Sequence, residues 1–162
     1  MWAGVCVASA LCWPAIGAAE TGGGITGPEL VRVLQDAGYK AKLDKDGDGD
    51  PRIETSMSGA KVFVHFYDCK QDRCGSLQFL MAMDLKDGST WEAMNRFNSE
   101  YRYGRAHLDD EMDPFLRFDF EVLHTARTEH IVSQIDIWED VLNTFLKAIR
   151  NGGDADSDDA AA

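Results

Sequence analysis

Apolar residues recur at helical spacing near both ends of the chain and alternate with polar residues in between. Leu30, Val31, Leu34 and Ala37 line one side of a predicted helix. Thr26 is placed to cap it, with Glu29 as capping-box partner, Pro28 in the first turn and Gly38 as the stop. A short strand is expected over Tyr39–Leu43, then an acidic turn from Asp44 to Pro51. Arg52–Met57 and Lys61–Tyr67 read as strands joined at Ser58-Gly59. In the second, Val62, Val64 and Phe66 share one face, and Lys61, Phe63, His65 and Tyr67 the other. Leu77, Phe79, Met81 and Met83 alternate in the next strand, which Asp87-Gly88 ends. Ser89 or Thr90 then caps a helix striped by Trp91, Met94, Phe97 and Tyr101. Tyr103–Leu108 and Phe115–Leu123 are strands around the turn Asp109–Pro114. In the second of these, Leu116, Phe118, Phe120 and Val122 face one way, and Arg117, Asp119 and Glu121 the other. One solvated face implies an antiparallel sheet. Ile131, Ile135, Trp138, Leu142, Phe145 and Ile149 mark a last helix, ended by Asn151-Gly152-Gly153. The order α-β-β-β-β-α-β-β-α describes an α+β domain, an antiparallel sheet with a helix at each end and one inserted.

At 162 residues, 44% of them apolar, the chain makes one domain with a core of ordinary size. Sixteen basic and 28 acidic residues leave a net charge of −12. That argues against nucleic acid, whose binders carry a basic patch, and against an anionic membrane surface. Residues 1–19 read as a signal peptide: no charge precedes Glu20, Val5–Trp13 is apolar, and Gly17 and Ala19 stand at −3 and −1 of a cut. The apolar run is too short for a stable membrane anchor. The expected product is exported, periplasmic or secreted. Residues 151–162 read as a disordered acidic tail, Gly-, Ala-, Ser- and Asp-rich, that cannot bury apolar area.

Export bears on the cysteines. Cys6 and Cys12 leave with the leader; Cys69 and Cys74 remain, five residues apart between two strand-like runs. In an oxidising compartment they are expected to form one structural disulfide across a hairpin mouth.

Asp44, Asp46 and Asp48 with Gly49 spell the first half of a calcium loop, and Asp50 follows. Thr55 stands where the bidentate Glu belongs, and the next segment reads as a strand. The four aspartates are therefore a weak metal candidate beside a plain solvated turn. His65, His107, His124 and His130 lack metal-ligand spacing, although His107 with Asp109 and Asp110 could form a small polar site. No Gly-x-Ser-x-Gly, phosphate loop or dinucleotide fingerprint occurs, and no cofactor is implied. Asn95 and Asn98 either form a recognition patch or stitch their helix to strand ends. Arg102 and Arg105 could pair with Asp109 or Asp110.

A family resemblance emerges from motifs in order: Asp46-Gly47-Asp48-Gly49-Asp50-Pro51-Arg52-Ile53, then Phe66-Tyr67-Asp68-Cys69, Cys74-Gly75-Ser76-Leu77-Gln78-Phe79, Asn95-Arg96-Phe97-Asn98, Arg102-Tyr103-Gly104-Arg105-Ala106 and Leu108-Asp109. Over about residues 26–150 the chain resembles the YbjN domain family of bacterial sensory transduction regulators. The resemblance implies a fold like that of type III secretion chaperones, with no enzymatic activity or cofactor to carry over. It also implies a protein or peptide partner. Phe63 and Tyr67 are the candidate contacts, with Arg102 and Arg105; alternatively the terminal helices, led by Trp138 and Phe145, cover the Phe63 face. A homodimer stays open. The competing reading is a small envelope hydrolase or a metal- or ligand-binding protein with its site near His107, Asp109 and Asp110.

Overall fold

The computed structural model describes residues 23–122 and 128–152. The proposed leader and residues 153–162 lie outside that range, as does His124. Helix α1 (Gly27–Asp36) leads into strands β1 (Ala41–Lys45), β2 (Pro51–Met57), β3 (Ala60–Lys70) and β4 (Arg73–Ala82). Helix α2 (Trp91–Glu100) precedes β5 (Arg105–Leu108) and β6 (Pro114–Glu121), and helix α3 (Thr128–Gly152) closes the domain. The chain is thus α+β, and its backbone stays helical over Asn151 and Gly152, the first two residues assigned to the tail.

The capping box forms as the sequence predicts. Thr26 N–H donates to Glu29 Oε2 at 2.8 Å, and Glu29 N–H to Thr26 Oγ1 at 3.3 Å. β1 starts two residues later than alternation suggests, because Tyr39 is held by the end of α1: its N–H donates to Leu34 O at 2.9 Å. Its phenol donates to Glu139 Oε2 of α3 at 2.7 Å. Likewise Tyr103 is excluded from β5 by a left-handed backbone, φ 58°, followed by Gly104 at φ 71°. A Cβ on Gly104 would stand 2.8 Å from Val141 Cγ1, so only glycine lets the chain approach α3 so closely here.

All six strands are antiparallel, in the order β1-β2-β3-β4-β6-β5. The turns Ser58-Gly59 and Gln71-Asp72 both have two successive positive φ angles, as two-residue hairpins of primed type require. Cross-strand register places side chains in rows. Leu43, Ile53, Val64, Phe79 and Phe118 form one row, and Ala41, Thr55, Val62, Met81, Leu116 and Ala106 another. Apart from Ala41 and Leu43 on the edge strand β1, these side chains are buried, and the helices lie over them. Trp138 of α3, fully buried, packs its ring 5.6 Å from Phe79 and 6.4 Å from Phe118. Phe145 meets Phe97 of α2 edge-on at 4.9 Å. All three helices therefore serve one face of the sheet. The terminal helices cover the Val62 face, not the Phe63 face.

Candidate functional site

Among the described residues, the other face of the sheet is bare of helix. Its rows, read by register, are Asp44-Arg52-His65-Gln78-Asp119 and Lys42-Glu54-Phe63-Leu80-Arg117-Arg105. Ala82, Phe115 and His107 make a row at one end; Tyr67, Ser76 and Glu121 make one at the other. Phe63 and Leu80 stand opposite each other, half-buried, as an apolar pair amid ionic groups.

Phe63 lies between two cations. The Arg52 guanidinium sits 5.3 Å from its ring centroid and Lys61 Nζ 4.9 Å. Carboxylates hold both cations there: Lys61 pairs with Glu54 at 3.3 Å and Arg52 with Asp44 at 3.4 Å. On the far side of Leu80, Arg117 Nη1 donates to Gln78 Oε1 at 3.0 Å, and Gln78 Nε2 donates to Asp119 Oδ1. Gln78 is buried, and these two bonds satisfy its amide. Arg105 closes the chain on Asp119 at 3.6 Å.

Two histidines flank this network. Burial, then the guanidinium groups of Arg52 and Arg117, hold His65 below the ordinary histidine range, against the pull of Asp46. Burial, then Arg117 and Arg105, do the same to His107, against Asp109. His107 stacks on Phe115 at 5.1 Å.

Phe63, Tyr67 and Arg105 thus share the open face, with Tyr67 45% exposed. Arg102 does not join them. It lies in the α2–β5 connection, its guanidinium 4.9 Å over the Tyr103 ring, and Tyr103 packs edge-on against Phe118 of the covered face. Neither arginine pairs with Asp109 or Asp110 as expected: Arg105 takes Asp119 instead, its neighbour across β6. Arg52, Gln78 and Arg117 are the face residues that strand-by-strand reading missed. Alternation puts Arg117 on a solvated side, but joining it to Gln78 requires β6 to pair with β4.

The four aspartates of the acidic turn do not converge. Asp46 Oδ1 accepts the backbone N–H groups of Asp48 and Asp50, each at 3.0 Å, while Asp44 faces Arg52. Among the described residues no three His, Cys, Asp or Glu side chains gather as metal ligands. Asp109 likewise spends Oδ1 on the N–H groups of Glu111 and Asp113, each at 2.9 Å. Asn98 stitches rather than recognises: its amide exchanges two 2.9 Å bonds with the backbone of Ala106, tying α2 to β5.

Cys69 and Cys74 form a disulfide between paired positions at the end of the β3–β4 hairpin. Next to it, Ile25 and Cys74 exchange backbone bonds of 3.0 and 2.9 Å. A Cβ on Gly24 would fall 2.5 Å from Cys74 O, so the segment entering α1 can lie this close only as glycine. Arg73 reaches back to Gly24 O at 2.7 Å and Glu29 Oε1 at 3.1 Å.

No curated protein matches the chain. Among solved structures, it is similar to the Yersinia pestis type III secretion chaperone SycH in complex with a stable fragment of YscM2. The TM-score is 0.48 at 9% identity, over 74% of this chain and 95% of that one. A family model matches residues 28–151, from the first turn of α1 to the last turn of α3. The chain belongs to the YbjN family, described as "Putative bacterial sensory transduction regulator".

Proposed function

We propose that this chain is an exported, non-catalytic YbjN domain that binds a protein or peptide partner, in a regulatory or chaperone-like role, on the open face of its sheet. The observation that carries the reading is the half-buried Phe63–Leu80 pair, left bare by all three helices and framed by ionic side chains. An apolar centre with a polar rim is the common anatomy of a protein interface. The signal-peptide pattern of residues 1–19 supports export, and the Cys69–Cys74 disulfide suits an oxidising compartment. Family membership supports regulation rather than turnover.

The test is cross-linking capture from an envelope extract, with Phe63→Ala and Tyr67→Ala beside the parent protein. Both substitutions should weaken capture several-fold while the melting temperature stays within a few degrees. Unchanged capture by both variants, or a substrate turnover lost in His107→Ala, would defeat the reading.

A further inference from the structure

We propose that the open sheet face is also the docking site of the chain's own acidic segment, residues 153–162, which competes there with the partner. The proposal rests on the reading of that face as the binding surface. Charge is the first ground. The whole chain holds 16 basic and 28 acidic residues. The open face is far less acidic than the chain: Lys42, Arg52, Lys61, Arg105 and Arg117 stand against Asp44, Glu54, Asp119 and Glu121, with Asp46 and Asp109 beside its two histidines. At its centre, Arg117 donates to a neutral amide, Gln78, rather than to a carboxylate. Residues 153–162 bring Asp154, Asp156, Asp158 and Asp159 and no cation.

Reach is the second ground. The last turn of α3 lies against the segment that follows β4: Ile149 and Arg150 share a cleft with Met83, Leu85 and Ser89. β4 ends at Ala82, in the row of Phe115 and His107, so α3 ends near that rim of the open face. Ten extended residues span up to about 33–36 Å. Arg117 is two residues further along β6 from Phe115, about 7 Å. The family match stops at residue 151 and does not include the acidic segment. Tethering would give it a millimolar effective concentration, enough for weak charge pairing to matter.

The experiment compares the full chain with its D154N/D156N/D158N/D159N variant by amide NMR at low salt. Backbone signals of Phe63, Leu80 and Arg117 should differ between the two, and 0.5 M NaCl should remove the difference, since exposed pairs are screened. Docked aspartates favour imidazolium, so His65, facing Arg52, Arg117 and Asp46, should titrate lower in the variant. His107, facing Arg117, Arg105 and Asp109, should do the same. Superimposable spectra, or shifts confined to the helices, overturn the proposal. The two readings fail separately. If the spectra superimpose while Phe63→Ala still impairs capture, the tail proposal falls and the face reading stands. If Phe63→Ala captures normally, the face reading falls, and the claim of competition with it.

Discussion

Asp46 and Asp109 occupy equivalent places in two hairpin turns. Each Oδ1 accepts the backbone N–H groups two and four residues ahead at 2.9–3.0 Å. Each N–H donates to the carbonyl four residues on, Asp50 O at 2.9 Å and Asp113 O at 3.1 Å. The fourth residue of each turn is left-handed, Gly49 at φ 91° and Met112 at φ 65°. The calcium-like spelling of Asp46-Gly47-Asp48-Gly49-Asp50 thus serves the same five-residue turn that Asp109-Asp110-Glu111-Met112-Asp113 builds from other side chains. In both, short aspartates satisfy a loop's own amides.

Asp109→Ala should therefore destabilise the domain by about 1–3 kcal/mol, because two N–H groups lose a charged acceptor. Asp109→Asn, which keeps the acceptor oxygen, should cost less. Urea unfolding of the two variants checks the ranking.

The cystine makes a prediction about mass and stability. The native protein, purified without reductant, should weigh two hydrogens less than the free-thiol form. Reduction, or Cys69→Ser, should cost about 2 kcal/mol for this six-residue loop on the chain-entropy account. Hydrogen exchange should rise first at Ile25 and Cys74, whose backbone bridge adjoins the bond.

Tyr39 should ionise late, well above the ordinary tyrosine range. Burial, then the hydrogen bond to Glu139 and its charge, push the phenol up to about 12 from 10.0. The folded state holds this proton more tightly than the unfolded chain. The associated stability is complete below pH 10 and is lost as pH rises toward 12. Ultraviolet titration should show one late phenol, absent in Tyr39→Phe.

At the acid end the sign reverses for Glu29. Burial works to raise its pKa, but hydrogen bonds from Thr26 N–H and Arg73, with the arginine's charge, leave it lowered. Its contribution is present above its ordinary value of 4.5 and is lost as pH falls through the lower folded value. Glu29→Gln should flatten the stability profile in that window, measured by thermal melts from pH 6 to pH 2.

Asn98→Ala removes both bonds to Ala106 and should loosen the α2–β5 corner by about 1–3 kcal/mol. Amide exchange should rise across β5 while the β2–β3 hairpin stays protected.

Local chemistry wrote much of this molecule. Thr26, Pro28 and Glu29 fix the start of α1, Thr90 that of α2, and the Leu116–Val122 alternation the sidedness of β6, because caps and pleats act over a few residues. The Cys69–Cys74 pairing was legible from the two cysteines beyond the expected leader, five residues apart between strand-like runs; the two-residue turn that sets them opposite each other came only with the structure. Which sheet face stays open, and so the proposed binding face, was not legible. β3 carries apolar or aromatic side chains on both sides, Val62, Val64 and Phe66 on one and Phe63 and Tyr67 on the other. Alternation cannot say which side the helices choose. Trp138 and Phe145 decide it by packing on the Val62 side, where β2, β4 and β6 add Ile53, Phe79 and Phe118 to a continuous apolar floor. The same step pairs β6 with β4 rather than leaving it only beside β5, and so joins Arg117, Gln78 and Asp119, residues 39 and 41 positions apart. Such long-range pairings exist only after the sheet has closed, because burying one whole face outweighs any single strand's preference.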